Sequence, residues 1–265
     1  MSTDNYIKLT FLGTGTSQGV PVIACDCEVC LSKDIKDTRF RSSVLIETQG
    51  KTFVIDTGPD FRLQMLNNNV QALDAVLFTH KHKDHTAGLD DVRAFNFKQK
   101  KDMQLYLNKD VEETLKREYE YIFSGNNYPG IPRVNLNVIP ELAQTIKVEG
   151  VQVKLINMLH YKLQVYGFRF GNIAYCTDVN YIAPIEKEKL LNLDVLVITA
   201  LRKEEHISHF NLNQALELIE ELKPKKAYLT HISHLLGSHA EVSKELPANV
   251  EIAWDGLQVT SQSKA

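Results

Sequence analysis

Short apolar runs separated by polar and glycine-containing segments recur along the whole chain. Tyr6 to Leu12 alternates apolar and polar positions, which is typical of a strand with one buried face. Ala75 to Phe78 is apolar and bounded by polar residues, which favours a buried strand. Gln49-Gly50 separates two further runs and predicts a hairpin. The remaining predicted strands are Val44 to Glu47, Thr52 to Ile55, Gln104 to Leu107, Val134 to Ile139, Val151 to Ile156, Val165 to Phe170, Ile173 to Cys176, Val195 to Ile198, Ala227 to Leu229 and Val250 to Ala253.

Segments with helical spacing lie between these strands. Asn211 to Leu222 is the clearest, because its apolar residues fall on one face and Asn211 can cap the first turn. The other predicted helices are Asp60 to Leu66, Asp110 to Phe123 and Pro184 to Leu191. No linker rich in proline, glycine or serine divides the chain. The alternation predicts an α/β fold in a single domain over residues 1–265.

Two of the strand ends resemble each other. Val76-Leu-Phe-Thr-His80 in the first half and Ala227-Tyr-Leu-Thr-His231 in the second each finish an apolar strand with Thr-His. Two such strands, one from each half, indicate a site between two similar sheets.

Charge and hydropathy exclude several classes of protein. The 30 lysines and arginines against 33 acidic residues give a net charge of −3, which does not favour nonspecific nucleic-acid binding. The longest strongly apolar stretch, Val195 to Leu201, is far shorter than the roughly 20 residues that span a bilayer. Met1 to Lys8 lacks the layout of a secretory signal. We therefore expect a cytoplasmic protein without membrane partners.

The segment His80-Lys-His82-Lys-Asp84-His85 carries the sharpest chemical signal. It places four candidate ligands within six residues, directly after a predicted buried strand. Imidazole and carboxylate groups bind zinc, manganese and iron. The alternative, a polar surface loop, does not explain three histidines and an aspartate at this spacing. The segment predicts a metal site with room for two ions.

Further candidate ligands stand where later strands end. His160 follows the strand-like Val151 to Leu159, Asp178 follows Ile173 to Thr177, and His231 follows Ala227 to Thr230. Each alone is compatible with a polar strand terminus. Together they favour convergence at one edge of a sheet, where ligands for two metals could gather.

Three of the four cysteines, Cys25, Cys27 and Cys30, lie within six residues. In a cytosolic chain such spacing indicates metal before disulfide. Three thiolates leave one position of a tetrahedral zinc for a distant residue. The alternative is a loop with three reduced cysteines. Cys176 lies inside a predicted strand and is expected to be a small buried apolar residue.

Taken together, His80-x-His82-x-Asp84-His85, His160, Asp178, His231 and Asp56-Thr-Gly58 resemble the metallo-β-lactamase superfamily. The resemblance runs from about Leu9 to Gly256. It implies an αβ/βα four-layer sandwich, with two mixed β-sheets face to face, helices outside and metals at one edge. It also implies the ligands: His80, His82 and His160 for the first metal, Asp84, His85 and His231 for the second, and Asp178 as the bridge.

A narrower resemblance rests on Leu12-Gly-Thr-Gly15-x-Ser17-x-Gly19-x-Pro21, the cysteine cluster, Thr230-His231-Ile-Ser-His234 and Asp255-Gly256. This combination is similar to the phosphodiesterases of the carbon–phosphorus lyase pathway. It implies a structural zinc held by Cys25, Cys27, Cys30 and His234, with His239 the weaker candidate for the fourth ligand. It also implies that His209 is catalytic, as a proton donor to the leaving oxygen or a stabiliser of phosphoryl charge.

The function implied is that of a metal-dependent hydrolase, a phosphoric diester hydrolase. Two manganese or zinc ions bridged by Asp178 would activate a hydroxide that attacks a small cyclic phosphate or nucleotide-like phosphodiester. Alternatives are an oxidative protein like the B protein of pyrroloquinoline quinone biosynthesis, a tRNase Z-type ribonuclease, a thioester hydrolase like glyoxalase II, and a sensor on the same scaffold. The ribonucleases carry a long basic arm, for which the chain has no matching insertion.

Three expectations concern the substrate and the assembly. We expect a small phosphodiester as substrate, no nucleic-acid partner, and a homodimer as the candidate assembly. Arg39 and Arg41 could reach a second phosphate or lie solvated on the surface, and both readings remain open. We expect the pocket wall that selects the substrate within Arg93 to Tyr128, and a tight turn beneath the metals at Gly13-Thr-Gly15.

Overall fold

The computed structural model describes residues 6–125 and 128–262. Its strands are β1 (Tyr6–Gly13), β2 (Ser43–Thr48), β3 (Lys51–Ile55), β4 (Ala75–Leu77), β5 (Met103–Leu107), β6 (Val134–Val138), β7 (Thr145–Val148), β8 (Val151–His160), β9 (Leu163–Phe170), β10 (Ile173–Cys176), β11 (Tyr181–Ile182), β12 (Val195–Thr199), β13 (Lys226–Thr230), β14 (Val250–Ile252) and β15 (Gln258–Gln262). The helices are α1 (Phe61–Asn67), α2 (Lys83–Thr86), α3 (Arg93–Gln99), α4 (Lys109–Glu118), α5 (Glu120–Phe123), α6 (Pro184–Lys187), α7 (Leu212–Leu222) and α8 (His239–Val242).

The strands form two mixed sheets with similar connectivity. The first follows the order β15-β1-β2-β3-β4-β5-β6, and the second follows β11-β8-β9-β10-β12-β13-β14, with β7 paired to β8. In the first sheet β3 to β6 run parallel. In the second sheet β10, β12, β13 and β14 run parallel. Each half therefore combines antiparallel strands with a parallel set, whose carboxyl ends share an edge.

Three apolar cores hold the layers together. The central core lies between the sheets and includes Phe11 and Phe53 from the first sheet and Phe168 from the second. A second core joins the outer face of the first sheet to α1, α3 and α4. A third joins the second sheet to the apolar stripe of α7. The arrangement confirms the predicted αβ/βα sandwich with helices outside.

The hairpin at Gln49-Gly50 is also confirmed, because both residues adopt the left-handed backbone conformation, with φ of 50° and 70°, between paired strands β2 and β3.

Two predicted helices are shorter than expected. The segment Asp110 to Phe123 breaks at Tyr119, whose φ of −116° and ψ of 42° interrupt the helical hydrogen bonding. Pro184 to Leu191 is α-helical only to Lys187 and continues as a 3₁₀ turn. Within residues 6–125 and 128–262, no helix has the length and apolarity needed to cross a bilayer.

Candidate metal centre

The predicted ligands lie where strands of both sheets end. His80 follows β4, His160 is the last residue of β8, and Asp178 follows β10. His231 comes directly after β13. Because β4 belongs to the first sheet and β13 to the second, the two Thr-His strand ends deliver their histidines from opposite sheets. The site lies between the two halves, as their similarity predicted.

Backbone turns at these strand ends aim the side chains. Asp56, Asp178 and His231 all adopt the left-handed conformation, with φ of 66°, 54° and 59°. Such values are uncommon for residues with a Cβ and store strain that the surrounding fold must offset. Asp178 is held by a hydrogen bond of 2.7 Å from its backbone N–H to the hydroxyl of Thr199 on the neighbouring strand. Strain of this kind therefore occurs at three of the residues that form the site.

One group of donors consists of His80, His82 and His160, whose ligand atoms lie within 4.8 Å of one another. Nε2 of His80 and Nδ1 of His82 are 3.0 Å apart. Nδ1 of His160 lies 2.8 Å from the carbonyl oxygen of Ser208, which fixes the ring by accepting a hydrogen bond. The other nitrogen of His160 is left to face the site.

A second group consists of Asp84, Asp178 and His231, again within 4.8 Å. Oδ2 of Asp178 is 3.2 Å from Nδ1 of His231 and 3.2 Å from Nε2 of His85. Asp178 also belongs to clusters with His80 and with His160. Among the described residues, Asp178 is therefore the carboxylate that lies near histidines of both groups, which is the position expected of a bridging ligand.

His85 connects the second group to a buried carboxylate behind it. Its Nδ1 lies 2.7 Å from Oδ2 of Asp56, and both side chains are fully buried. Asp56 also accepts hydrogen bonds from the N–H and hydroxyl of Thr79. Burial alone would lower the pKa of His85, but Asp178, Asp84 and Asp56 raise it well above its ordinary value. The site thus attracts a positive charge at His85, either a proton or a cation.

A close backbone contact makes this arrangement feasible. The N–H of Thr57 donates to the carbonyl of His85 at 2.9 Å. A Cβ on Gly58 would lie 2.2 Å from the carbonyl oxygen of Asp84, so only glycine allows the two segments to approach this closely. Asp56-Thr57-Gly58 therefore supports the ligand loop from below.

The donor set fits divalent metals. Nε2 of His85 is buried and makes no hydrogen bond within the described residues, although it is 3.2 Å from oxygens of both Asp84 and Asp178. Buried donors that converge without hydrogen bonding one another are characteristic of a cation site. Imidazole and carboxylate ligands suit zinc, manganese and iron. The structure brings the seven predicted side chains together, as the sequence analysis expected of ligands for two ions.

His209 borders the same centre. Its ring lies 4.5 Å from that of His160 and 4.8 Å from that of His231, measured between centroids. Its Nδ1 is 3.9 Å from Oδ1 of Asp178 and is buried without a hydrogen bond among the described residues. Burial, followed by the nearby His231, lowers the pKa of His209 to about 2. His206, half-buried, bonds through Nδ1 to Ser208 and lies behind His209.

Two residues that the sequence analysis did not single out contact His231. Its Nδ1 is 3.1 Å from the hydroxyl of Ser42, and its Nε2 is 3.3 Å from the hydroxyl of Thr16. Thr14 and Thr16 pair with the backbone of Ile232. The predicted turn at Gly13-Thr-Gly15 therefore supports the loop of His231. Only the fold brings these distant segments together, so spacing along the chain could not reveal them.

The cysteine cluster forms a separate, partly exposed site. Nδ1 of His234 lies 3.4 Å from the sulfur of Cys25, 3.3 Å from that of Cys27 and 3.5 Å from that of Cys30. Tetrahedral bonds of about 2.3 Å to sulfur and about 2.0 Å to nitrogen would separate these atoms by roughly 3.5 Å. His239 lies elsewhere, with its ring edge against Trp254. The donor set and its spacing fit one zinc ion.

Ionisation of the thiols agrees with this arrangement. Hydrogen bonding from the Cys30 N–H and from His234 lowers the pKa of Cys27 to about 6. Burial and the neighbouring Cys25 and Cys27 raise the pKa of Cys30 to about 11. Besides burial, the raised pKa of Cys30 reflects the cost of placing a further negative charge beside its neighbours, a cost that a bound cation would offset.

The structure corrects one expectation about the arginines. Arg39 is 4 % exposed and donates to the hydroxyl of Thr14 and the carbonyl of Ala253, so it is neither solvated nor free for a phosphate. Burial lowers the pKa of Arg39 to about 10. Arg41 pairs with Asp60 at 3.1 Å and donates to the carbonyl of Ser17. Both side chains stabilise the fold around the site.

Cys176 is buried in β10, as predicted.

Comparisons with known proteins place this geometry in a family. The model of the beta-lactamase superfamily domain matches residues 51–232. The crystal structure of a new diphosphatase from the PhnP family is 39 % identical, covers 97 % of this chain and 98 % of that chain, and has a TM-score of 0.90. Zinc-bound PqqB from Methylobacterium extorquens shares the fold at 18 % identity, with 95 % and 99 % coverage and a TM-score of 0.76.

A curated relative, the octanoyltransferase of Porphyromonas gingivalis, is 36 % identical over 261 residues, which are 97 % of this chain. The chain spans about half the length of that relative, 52 %. The superfamily model and the full-length match to the diphosphatase agree with the two sheets and the clustered histidines and aspartates. The chain belongs to the beta-lactamase superfamily and, within it, to the PhnP family of metal-dependent hydrolases.

Proposed function

We propose that the chain hydrolyses a phosphorus–oxygen bond in a small phosphodiester, such as a cyclic phosphate or a nucleotide-like diester, or in a diphosphate. The observation that carries the proposal is the convergence of seven histidine and aspartate side chains, Asp178 among them, at one centre with His209 beside it. The PhnP-family diphosphatase, similar along its full length, supports chemistry at phosphorus. The neighbouring PqqB structure supports the fold alone.

The proposed cofactors are two divalent ions, manganese or zinc, and one structural zinc. His80, His82 and His160 would hold the first ion, Asp84, His85 and His231 the second, and Asp178 both. Cys25, Cys27, Cys30 and His234 would hold the zinc. When bound, the two ions would supply Lewis-acid stabilisation of phosphate oxygens and a water of lowered pKa.

The chain's own residues orient these groups. Asp56 fixes the ring of His85 by accepting from Nδ1, and Ser208 fixes His160 in the same way. Such outer contacts set the tautomer and direction of ligand imidazoles. His209, beyond hydrogen-bonding distance of Asp178, is positioned to give a proton to the leaving oxygen. Its low pKa keeps it neutral in the free site, and an anionic phosphate beside it would raise that pKa.

The name of the curated relative suggests an acyl group as a competing substrate. That protein is about twice as long as this chain, which matches only about half of it. Its name therefore describes a protein with a second half that this chain does not match. The full-length match to the diphosphatase favours phosphoester chemistry. An octanoyl thioester is nevertheless the informative counter-substrate in any assay.

The test is turnover of bis(p-nitrophenyl) phosphate by manganese-loaded protein, with an octanoyl thioester assayed in parallel. We expect release of p-nitrophenolate, and loss of that activity by at least 10³-fold in Asp178→Ala, on the scale of losing two-metal chemistry. Glu217→Ala, which removes an exposed carboxylate on α7, is the matched control and should keep full activity. Thioester hydrolysis without phosphodiester hydrolysis would overturn the proposal, and near wild-type activity in Asp178→Ala would remove the bridge.

A further inference from the structure

One side-chain amide lies between two segments that contribute to the candidate metal centre. Asn180 is half-buried, and its Oδ1 accepts a hydrogen bond of 2.7 Å from the backbone N–H of Tyr161. Its Nδ2 donates to the carbonyl oxygen of Ile207 at 3.1 Å. Tyr161 comes directly after His160, and Ile207 stands two residues before His209. A single side chain therefore bonds to the segment of each histidine.

The bond to Tyr161 secures a strained turn. Tyr161 adopts the left-handed backbone conformation, with φ of 58°, which is uncommon for a residue with a large side chain. Such a conformation persists where the surrounding structure over-determines it. The backbone N–H of Asn180 also donates to the carbonyl of Leu159 at 2.9 Å. Both bonds hold the end of β8, where His160 is the last residue.

The bond to Ile207 holds the segment of His209 on one side. On the other side, the N–H of Phe210 donates to the carbonyl of Val179 at 2.8 Å. Val179 and Asn180 are consecutive residues of the segment that follows β10. The ring of His209 is buried, and its Nδ1 makes no hydrogen bond among the described residues. Its position therefore depends on these two anchors of the backbone.

This pattern of bonds requires an amide at position 180. Tyr161 presents a donor and Ile207 an acceptor, and an asparagine side chain carries both an acceptor and a donor. Aspartate would accept from Tyr161 and could not donate to Ile207. Leucine, which is similar in size, would form neither bond. The two bonds can thus be removed one at a time.

We propose that Asn180 is a positioning residue that fixes where His209 stands relative to His160. The ring centroids of the two histidines are 4.5 Å apart. A proton donor has to lie within hydrogen-bonding reach of the leaving oxygen, and a displacement of about 1 Å can cost on the order of 100-fold in rate. The inference rests on the proposed hydrolysis, in which His209 gives that proton. It adds the side chain that sets the geometry of the transfer.

The test compares ethylene phosphate, whose leaving oxygen is an alkoxide, with bis(p-nitrophenyl) phosphate. Asn180→Leu removes both bonds, and Asn180→Asp removes only the bond to Ile207. In both variants we expect kcat for ethylene phosphate to fall about 10-fold or more. The rate on bis(p-nitrophenyl) phosphate should change little, because p-nitrophenolate leaves without a proton.

Asn172→Leu is the matched control. Asn172 is also half-buried, and its side chain also donates to a backbone carbonyl, that of Gln262 at 3.3 Å. It precedes β10, whereas Asn180 lies beyond the other end of that strand. The control should leave the ratio of the two ester rates unchanged.

A second mutation distinguishes positioning from a general structural role. In a His209→Ala background, Asn180→Leu should cause no further loss on ethylene phosphate, because the group that it positions is gone. An additive loss, or equal losses on both esters, would overturn the inference. If Asn180→Leu does not fold, Asn180→Asp carries the same comparison, since it keeps the bond to Tyr161.

A readout that does not depend on activity separates this inference from the proposed function. In zinc-loaded protein with isotope-labelled histidines, the rings of His160 and His209 should show a nuclear Overhauser contact. The contact should weaken in both Asn180 variants and persist in Asn172→Leu. Wild-type protein that hydrolyses neither ester would overturn the proposed hydrolysis, and the Overhauser contact would still decide the role of Asn180. A contact of unchanged intensity in both variants would overturn that role.

Discussion

The buried pair of Asp56 and His85 shows how a single side chain orients a candidate metal ligand. Asp56 accepts three hydrogen bonds, from His85 and from the N–H and hydroxyl of Thr79. An asparagine offers only one acceptor oxygen and turns an amide N–H₂ toward one of these donors. The ring of His85 would lose its orientation, although the ligand itself would remain.

We therefore expect Asp56→Asn to weaken metal binding at the histidine–aspartate centre by 10- to 100-fold, the usual effect of removing such a support. Competition with a chromophoric chelator measures the change. Asp74→Asn is a matched control, because Asp74 also accepts a backbone N–H, from Thr52, and lies outside the site. Equal metal affinities in wild type and Asp56→Asn would show that the pair does not orient the ligand.

His209 gives a second prediction at this scale, which depends on the leaving group. His209→Ala should keep its full metal content and lose 10²- to 10⁴-fold in rate on an alkyl ester, the usual contribution of a general acid. A p-nitrophenolate leaves without a proton, so the aryl ester should be affected little. Steady-state rates on the two esters and elemental analysis check both parts.

The outcomes for His209 separate its candidate roles. A variant equally slow on both esters would assign His209 to stabilisation of phosphoryl charge. A variant that lost a metal ion would make it a ligand, which its place beside His160 and Asp178 would allow geometrically.

Among the secondary-structure elements, α7 links local sequence to the position of His209. Asn211 caps the helix by accepting from the N–H of Gln214, and Gln214 bonds back to the Asn211 N–H. Phe210, between His209 and the cap, donates its N–H to Val179, next to Asp178. The N-terminal end of α7 thus fixes the position of the segment that carries His209.

Asn211→Ala should lower the free energy of unfolding by about 1 kcal/mol, within the range of 0.5–2 kcal/mol known for caps. Urea denaturation measures it. Asn213→Ala, an exposed position in the first turn that makes no capping bond, is the matched control and should change stability little. A loss of the same size in both variants would mean that helix propensity, rather than the cap, explains the effect.

Hydrophobic periodicity located the strands and helices in which buried positions recur at regular intervals along the chain. β10 was predicted at Ile173 to Cys176 and is observed there, since it is buried on both faces. β15 was not predicted, because Gln258–Gln262 is mostly polar and owes its conformation to pairing with β1. β11 has only two residues and is defined by its partner β8. Long-range pairing, which local patterns do not contain, decided these strands.

The candidate site likewise combines residues that the sequence identifies with residues that only the fold brings in. His80 to His85 stand together in the sequence and could be singled out directly. Ser42 and Thr16 contact His231 from 189 and 215 residues away, and only the fold brings them to it. Arg39 is a candidate for phosphate in the sequence because a guanidinium can pair with phosphate through two hydrogen bonds, and only the fold shows that it is buried.

At the scale of the whole molecule, a short segment of chain connects the two candidate metal sites. His234 lies three residues after His231, and Ile232 between them pairs with Thr14 and Thr16. The cysteine cluster, through its contact with His234, therefore braces the loop that brings His231 to the candidate metal centre. A defect in the cluster should reduce stability first and disturb the chemistry only through this loop.

The last prediction concerns the metal content of the two candidate sites. On the proposed ligand sets, fully loaded protein should contain three metal ions per chain, and mild chelation should remove two of them. Asp178→Ala should retain the ion of the cysteine site. Cys27→Ser should lose that ion and unfold at a lower temperature while retaining the other two, because structural zinc sites store folding energy, with apparent binding energies of about 10–16 kcal/mol in finger peptides. Elemental analysis and thermal unfolding of the three proteins provide the measurement. One metal ion in total in fully loaded wild-type protein, or an unchanged Tm in Cys27→Ser, would contradict the assignment, because the seven-donor set and the four-donor set would then not act as separate sites.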